Sequence, residues 1–319
     1  QAGGFDFLDD VLRLAGEAGT GDDAATLHHL TRILVDFGYL RPRTGRRAAA
    51  RGIRAVEREM SILLFDPACP SGLLNLLDNL KRTASLVRER LSVDAWRILN
   101  TLYDLTRRHA VDEQLDVSGA LALLNEMAQE CSGFSGMQQE NMTRSIGWRL
   151  LDFGRRAERG GHMARLMREL TVEGDPEAEG SLDLLLELGD SSMTYRTRYL
   201  STVQLPAVLD LLLVDETNPR SVAYQVAAIE EHMSALPRAD NHGTLSAEQR
   251  LVIAAASELK LCNINELCRQ QNARGRRVAL EKFLRTQEQR ILEISDNVAR
   301  IYFTHALTTR SGSVGGILQ

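Results

Sequence analysis

The distribution of proline and apolar residues restricts what this chain can fold into. The chain has seven prolines, none of them between Pro70 and Pro176, and none follows Pro237. Proline inside a helix removes a backbone hydrogen bond and clashes with the preceding turn, so stretches without it favour helices. Long alternating runs of β-branched residues, which would indicate strands, are absent from the sequence. We therefore predict an all-α fold built as a multi-helix array.

The strongest helical signal is the stretch from Glu140 to Leu170. Its apolar residues recur with the period of an α-helix, which predicts one long helix with a core-facing stripe roughly 120° wide. On this stripe we expect low exposure for Ile146, Leu150, Phe153 and Ala157.

Three glycines also lie in register in this stretch, namely Gly147, Gly154 and Gly161. Glycine costs about 1 kcal/mol relative to alanine inside a helix. Small residues in one line allow another helix to approach closely. The glycines therefore predict a line of close helix crossing.

A charged arc lies nearly opposite the apolar stripe and consists of Arg144, Trp148, Asp152, Arg155 and Arg159. Such an arc is either an ordinary solvated face or the lining of a groove or internal interface. Trp148 favours the second interpretation, because a large aromatic side chain is rarely left in water. If the arc is covered, Arg155 and Arg159 need carboxylate or carbonyl partners from other helices, or an anion bound in an open cleft.

Composition limits the classes of function. A net charge of −5 argues against general nucleic-acid binding, which needs a basic surface. No apolar run has the length of a membrane span. The four cysteines are scattered without a C-x-x-C pair, which favours the reduced cytoplasm.

Glu158 and His162 give the nearest metal-like spacing, but a di-iron helical site needs two Glu-x-x-His motifs, so we predict no metal. The absence of a phosphate-binding loop predicts no nucleotide cofactor.

An internal repeat is the main sign of domain organisation. Leu63-Leu64-Phe65-Asp66 stands before Pro70 at the same spacing as Leu212-Leu213-Val214-Asp215 before Pro219. Apolar positions after the two prolines stay in register, and the later Ser92 and Ser246 are both predicted helix caps. We therefore predict two diverged helical repeats, residues 1–132 and 133–307, followed by a flexible tail at 308–319. The long helix of the second repeat has no counterpart in the first, so we expect that counterpart before Gln1, in a longer protein.

Several patches in order along the chain, up to about residue 237, resemble the Alpha-E family of bacterial all-helical domains. They are Cys69-Pro70-Ser71 with Leu73, Arg88 and Arg90 before Leu91-Ser92, Trp96 with Leu99-Asn100, Gly136-Met137, Met142-Thr143-Arg144, Trp148, Gly154-Arg155, Glu158-Arg159, Ala164-Arg165, Tyr195-Arg196 and Pro219-Arg220-Ser221. The most specific is Gly-Arg-x-x-Glu-Arg with an upstream tryptophan. Gly160 stands where the family usually has alanine, and the family's first Trp-Leu-Gly-Arg and Glu-Arg helix is absent here.

The resemblance implies which proteins this domain works with, but it does not imply a reaction for the helical domain itself. Family members occur alone or as the C-terminal part of proteins with a circularly permuted ATP-grasp domain, and they accompany transglutaminase-like peptidases. This context implies ATP-dependent amide or peptide-bond chemistry, with an ATP-grasp ligase domain as partner and a peptide or amino acid as substrate.

Three functions remain open from the sequence. The first is an interaction or substrate-presenting module that serves an ATP-grasp amide ligase. The second is an enzyme whose arginines clamp a carboxylate or phosphate while Glu158 or Asp152 acts as a base. The third is a structural scaffold in which Asp152–Arg156 and Glu158–His162 are simple ion pairs. The candidate substrate-binding residues are Arg144, Trp148, Asp152, Arg155, Glu158, Arg159, Tyr195 and Arg196.

Overall fold

The computed structural model of the chain describes residues 24–41, 53–70, 72–110, 117–174, 176–177, 180–200, 202–237, 245–269 and 271–311. All regular elements in these ranges are helices, which confirms the predicted all-α fold. The predicted tail at 308–319 lies mostly outside the described residues. None of the described helices is long and apolar enough to cross a bilayer.

The described helices fall into two compact units. The first contains residues up to Thr143 together with Ala178–Leu188, and the second contains Arg144–Glu177 and the chain from Gly189 onward. The helices of the first unit are α1 (Ala24–Asp36), α2 (Ile53–Phe65), α3 (Leu73–Leu86), α4 (Val93–Ala110), α5 (Val117–Asn141) and α7 (Ser181–Leu188). Those of the second are α6 (Ile146–Thr171), α8 (Ser192–Tyr199), α9 (Leu205–Leu209), α10 (Val222–Ala235), α11 (Ala247–Leu261), α12 (Ile264–Arg269) and α13 (Val278–Ser311).

The first unit is built on three mutually packed helices. Helices α2, α3 and α4 contact one another, α4 also packs against α5, and α1 packs against α7. The buried apolar residues of α2 to α5 are Met60, Leu63, Leu64, Leu73, Leu77, Ala84, Ala95, Leu102, Leu105, Ala120, Leu123, Leu124 and Met127.

The second unit is centred on a four-helix bundle. Helix α6 packs against α10 and α13, and α11 packs against the same two helices, so the four form a closed ring of neighbours. Their buried apolar side chains include Phe153, Met163, Ala164, Leu166, Met167, Leu170, Val226, Ile229, Met233, Val252, Ala255, Leu259, Leu284, Ile291, Ile294 and Val298. Because α10 and α13 pack on two sides of α6, the buried face of α6 is wider than that of a helix with a single neighbour.

Helix α6 differs from the predicted helix at its N-terminal end. The prediction began it at Glu140, but α5 continues to Asn141 and α6 begins at Ile146. Ser145 precedes the helix in an extended conformation, with φ −76° and ψ 174°, and this separates α5 from α6. Gly133 lies inside α5, since one glycine weakens a helix without ending it. The first stretch of the first unit ends at Thr143, eleven residues after the predicted end of the first repeat at residue 132. The two-repeat division itself stays a prediction.

The predicted burial along α6 holds for two of four residues. Phe153 and Ala157 are buried, whereas Leu150 is half-buried and Ile146 is 46% exposed. Ile146 is the first residue of α6, and in this first part of the helix the buried face is formed by Trp148 and Asp152 instead.

The predicted line of glycine contacts is wrong, and a different glycine makes the close approach. Among the described residues, a Cβ at Gly154 or Gly161 would meet nothing within 4 Å, and one at Gly147 would meet only Ser145 Oγ, at 3.8 Å. A Cβ at Gly160 would lie 3.0 Å from Ile291 Cδ1 in α13 and 3.2 Å from Gln225 Cβ in α10. Among the glycines of α6, Gly160 is thus the one that lies closest to both bundle neighbours.

The two Leu-Leu-x-Asp-x-x-x-Pro anchors form matching turns. Asp66 Oδ1 accepts a 2.8 Å hydrogen bond from the Ala68 N–H, and Asp215 Oδ1 accepts one of 2.8 Å from the Thr217 N–H. The helix after each proline begins one residue beyond an extended cap, Gly72 in the first anchor and Ser221 in the second. The Ser246 capping box and the Ser92 cap are also present as predicted. These local matches support the repeat at its anchors.

Candidate functional site

The charged arc of α6 converges on one buried carboxylate, Asp152. This residue is 2% exposed and lies where α6 packs against α10. Arg156 Nε donates to Asp152 Oδ2 at 3.1 Å, and His232 Nε2 of α10 donates to the same oxygen at 2.7 Å. Arg155 donates to the other oxygen, Oδ1. We call these four residues the Asp152 cluster; three donors occupy both oxygens of its carboxylate.

The protonation states in the Asp152 cluster follow from this geometry. Burial alone would raise the pKa of the Asp152 carboxyl, but the hydrogen bond from His232 and the bonds and charges of Arg156 and Arg155 outweigh it and hold this pKa well below its usual range. The ionised carboxylate can only accept hydrogen bonds, so the proton of the shared bond belongs to His232 Nε2. The other ring nitrogen, Nδ1, is buried and has no hydrogen-bond partner among the described residues.

Trp148 is covered, as predicted. It is 8% exposed, and its ring meets the His232 ring edge-on, with centroids 5.3 Å apart and planes at 82°. The guanidinium of Arg144 lies 4.3 Å from the centre of the indole, within cation–π distance. Arg144 itself is exposed. The tryptophan therefore joins a buried histidine to an arginine at the surface.

A second set of contacts extends the Asp152 cluster to the proline anchor. Arg156 Nη1 donates to Gln225 Oε1 at 3.4 Å, and Gln225 Nε2 donates to the Pro219 carbonyl at 2.5 Å. The Arg156 guanidinium also lies 5.2 Å from the centre of the Tyr224 ring. The turn before α10 is thereby connected through Gln225 to the carboxylate of α6.

The structure corrects the predicted partners of the arginines. We expected acceptors from other helices for Arg155, but its acceptor Asp152 is on the same helix, three residues earlier. The predicted Asp152–Arg156 ion pair is present. Arg159 is half-buried and Glu158 is exposed. The i,i+3 and i,i+4 spacing within α6 places Asp152 next to Arg155 and Arg156. Helix α10 contributes the third partner, His232.

Tyr195 and Arg196 do not belong to the Asp152 cluster. Tyr195 in α8 is fully buried; its hydroxyl donates to the Thr202 carbonyl at 3.3 Å and accepts from the Gln204 N–H at 3.1 Å. The Tyr195 hydroxyl thus holds the loop after its own helix, and the substrate contact expected for Tyr195 stays a prediction. Arg196 is exposed.

Sequence reasoning missed His232 and Gln225. Both are buried on the face of α10 that packs on α6. A polar residue at a core position of an amphipathic helix is a usable signal, because buried polar groups need partners. The partner of His232, Asp152, is 80 residues away in the sequence, and no pattern in the sequence indicates that the two residues meet.

Comparison with known proteins identifies a family that is described by a Glu-Arg motif, and α6 contains such a pair, Glu158-Arg159. The chain matches, over residues 7–303, the profile of the Alpha-E family, described as a predicted alpha-helical domain with a conserved ER motif. The chain belongs to the Alpha-E family. It has three Glu-Arg pairs, Glu57-Arg58, Glu89-Arg90 and Glu158-Arg159, and only the last lies in the helix that carries Asp152.

The relatives of this Alpha-E chain are longer proteins. It is 29% identical over 244 residues to the Uncharacterized protein Rv2567 of Mycobacterium tuberculosis (strain H37Rv) and to the Uncharacterized protein Mb2597 of Mycobacterium bovis. The match covers 73% of this chain but 27% of each relative. The chain thus spans about a quarter of the length of these relatives. No solved structure matches.

The arrangement sets limits on the chemistry available at this site. The Asp152 carboxylate holds donors from Arg155, Arg156 and His232, an arrangement that suits it to orienting these three side chains. In the described part of the chain no group of three or more His, Cys, Asp or Glu side chains is placed to hold a metal ion. Of the predicted site residues on and just before α6, Arg144 and Glu158 are exposed.

Proposed function

We propose that this Alpha-E chain is a helical interaction or substrate-presenting module serving an ATP-grasp-type amide or peptide ligase. The observation that carries the proposal is the occupied carboxylate of Asp152. Its contacts are used inside the bundle, so the charged arc of α6 works as a rigid support. A partner or substrate would meet the exposed residues Arg144 and Glu158 near this support.

The ligase partner is supported by context. The family resemblance implies ATP-grasp neighbours, and the two mycobacterial relatives are long enough to contain further domains. We place the module in the cytoplasm, where ATP is available and the scattered cysteines stay reduced. The substrate would be a peptide or an amino acid, with Arg144 as the cation that meets its carboxylate.

A chimera tests the proposal. The full-length M. tuberculosis relative, and the same protein with its matched region replaced by this chain, would be assayed for ADP release coupled to amide formation with amino acids and peptides. We expect activity in both and none from this chain alone. Arg144→Ala with Glu158→Ala in the chimera should lower activity, whereas Arg97→Ala, an exposed arginine of α4, should not. If the full-length relative neither binds nor hydrolyses ATP, the ligase association is wrong.

The alternative is an enzyme in its own right, acting on a substrate with a carboxylate or phosphate. The observation in its favour is Arg144, whose exposed guanidinium is held in place over Trp148 at 4.3 Å. Fixing a guanidinium in advance lowers the entropy lost when it binds an anion. Turnover by this chain alone, abolished by Arg144→Ala, would replace the module proposal with this one.

A further inference from the structure

A separate pocket lies in the first unit, far along the sequence from the Asp152 cluster. It has a volume of about 350 Å³ and is formed by the end of α2, the turn after it, and one face each of α3 and α4. Its carbon-only lining is Phe65, Pro67, Leu74 and Leu77. This volume is within the range of small-molecule sites, which are mostly apolar with a few placed polar groups.

The polar groups of this pocket are on two neighbouring helices. Asp78 of α3 and Arg107 of α4 form an ion pair of 3.5 Å across the opening. Both side chains are well exposed, 49% and 61%, so the pair contributes little to stability and its charges are available to a ligand. A negative and a positive group therefore stand side by side above an apolar floor.

Tyr103 adds a second cation to the same opening. Its ring, part of the pocket lining, has Lys81 Nζ 3.6 Å from its centre and the Arg107 guanidinium 4.9 Å from it. The phenol ring keeps both cations near the pocket through cation–π attraction. Asp78 is the only acidic side chain among the described lining residues. The opening therefore offers Arg107 and the nearby Lys81 to a carboxylate, and Asp78 to an ammonium.

We propose that this pocket binds a free apolar α-amino acid of about the size of leucine, with its side chain on Leu74 and Leu77, its carboxylate at Arg107 and Lys81, and its ammonium at Asp78. The adjacent opposite charges favour a zwitterion over a simple fatty acid, because a fatty acid has no ammonium to pair with Asp78 and would place its apolar tail against that carboxylate. The apolar floor selects a branched or aromatic side chain over a polar one. This inference is independent of the proposed function, because it uses none of the residues of α6.

Calorimetric titration of the chain with L-leucine tests the proposal. A ligand of this size is expected to bind with a Kd of about 1 mM, given the ligand efficiency of small molecules. N-acetyl-L-leucine lacks the ammonium, L-leucinamide lacks the carboxylate, and glycine lacks the side chain. Each should bind on the order of tenfold more weakly, the loss expected when one charge-assisted contact or the apolar contact is removed.

Variants show whether binding occurs at this pocket. Arg107→Ala and Leu74→Trp, the second of which fills the pocket, should each weaken leucine binding on the order of tenfold. Asp78→Asn should weaken leucine binding but leave N-acetyl-L-leucine binding unchanged. Arg97→Ala is the matched control, because Arg97 is also in α4 and also in an exposed ion pair, with Asp94 at 3.3 Å.

Three results would overturn the proposal: no heat of binding for leucine at concentrations of about 10 mM, equal binding of all four ligands, or leucine binding that survives both Arg107→Ala and Leu74→Trp. Circular dichroism of each variant, with a helical spectrum and melting curve like those of the parent chain, shows that a loss of binding is not a loss of fold.

Discussion

Asp152 shows how a single buried residue can give a charged face a structural role. Its carboxylate stands between two arginines of its own helix and a histidine of α10, and the side chains of those arginines are only 13–14% exposed. Charges buried to this degree are tolerated because they are paired. Asp152 is thus the paired acid that stabilises the buried Arg155 and Arg156 on this face of α6.

Replacement of Asp152 should therefore be costly. Asp152→Ala leaves Arg155, Arg156 and His232 without their shared acceptor, and breaking a buried ion pair from one side typically costs about 3–5 kcal/mol. The free energy of unfolding in urea, measured with circular dichroism, checks this. Asp94→Ala removes the acid of an exposed pair and should change it by less than about 1 kcal/mol. A loss below about 1 kcal/mol for Asp152→Ala would show that the cluster does not hold the bundle together.

The lowered pKa of His162 should make the free energy of unfolding depend on pH. Burial, aided by the charge of Arg165, lowers the pKa of His162 to about 3 from an ordinary value of 6.5. Below pH 6.5 the unfolded chain binds a proton that the folded chain does not, so this contribution to stability is complete above pH 6.5 and is lost progressively toward pH 3. Between pH 7.5 and pH 5 the parent chain should lose about 1–2 kcal/mol more than His162→Gln. Urea unfolding at both values measures this difference, and equal losses would contradict it.

At the residue scale, the sequence predicted which α6 residues share a face but not their partners. Helical spacing gave the Asp152–Arg156 pair, and the size and aromatic character of Trp148 gave its burial. It could not find His232, because a contact between two helices depends on how they cross. For the same reason it could not show that Tyr195 is occupied by its own loop.

At the scale of elements, helix α6 is shaped by one close contact at Gly160. The sequence suggested three evenly spaced glycines, but even spacing shows only that residues share a line, and a neighbouring helix need not follow that line. The adjacent residues Gly160 and Gly161 therefore offer a matched comparison, because one faces Gln225 and Ile291 and the other has open space at its Cβ.

Alanine at these two positions should have opposite effects. Gly161→Ala gains helix propensity without a clash and should stabilise the chain by about 0.5–1 kcal/mol. Gly160→Ala must displace buried side chains of α10 and α13, and overpacking of this kind typically costs about 1–3 kcal/mol. Thermal unfolding of the two variants checks the prediction. Equal stabilisation by both would show that α6 does not approach its neighbours closely at Gly160.

At the scale of the whole molecule, the repeat anchors organise each unit in the same local way. In both, an aspartate closes the turn that follows an apolar helix end, and a new helix begins after an extended N-cap residue that follows the proline. Among the described residues, the Asp215 side chain makes more contacts than that of Asp66, because it also accepts from the Thr217 hydroxyl and from Arg198. If the units share an origin, both aspartates should protect the helix that follows.

Hydrogen exchange can test this equivalence. Asp66→Ala should speed exchange in the first turn of α3, and Asp215→Ala should do so in the first turn of α10, since each removes the bond that fixes the preceding turn. The loss of stability should be about 1 kcal/mol for Asp66 and larger for Asp215. Faster exchange after only one of the two substitutions would contradict an equivalent role for the anchors.

The sequence by itself determined the helical class, the caps at Ser92 and Ser246, the anchor turns, and which residues of α6 share a face. These depend on interactions between residues a few positions apart, which spacing and residue type encode directly. The tertiary structure decided that α5 runs through Gly133, that Gly160 makes the close approach, and that His232 completes the Asp152 cluster. It also placed Asp78, Tyr103 and Arg107 around one pocket. Those features depend on how helices distant in sequence cross one another, and the period of a single helix contains no information about that crossing.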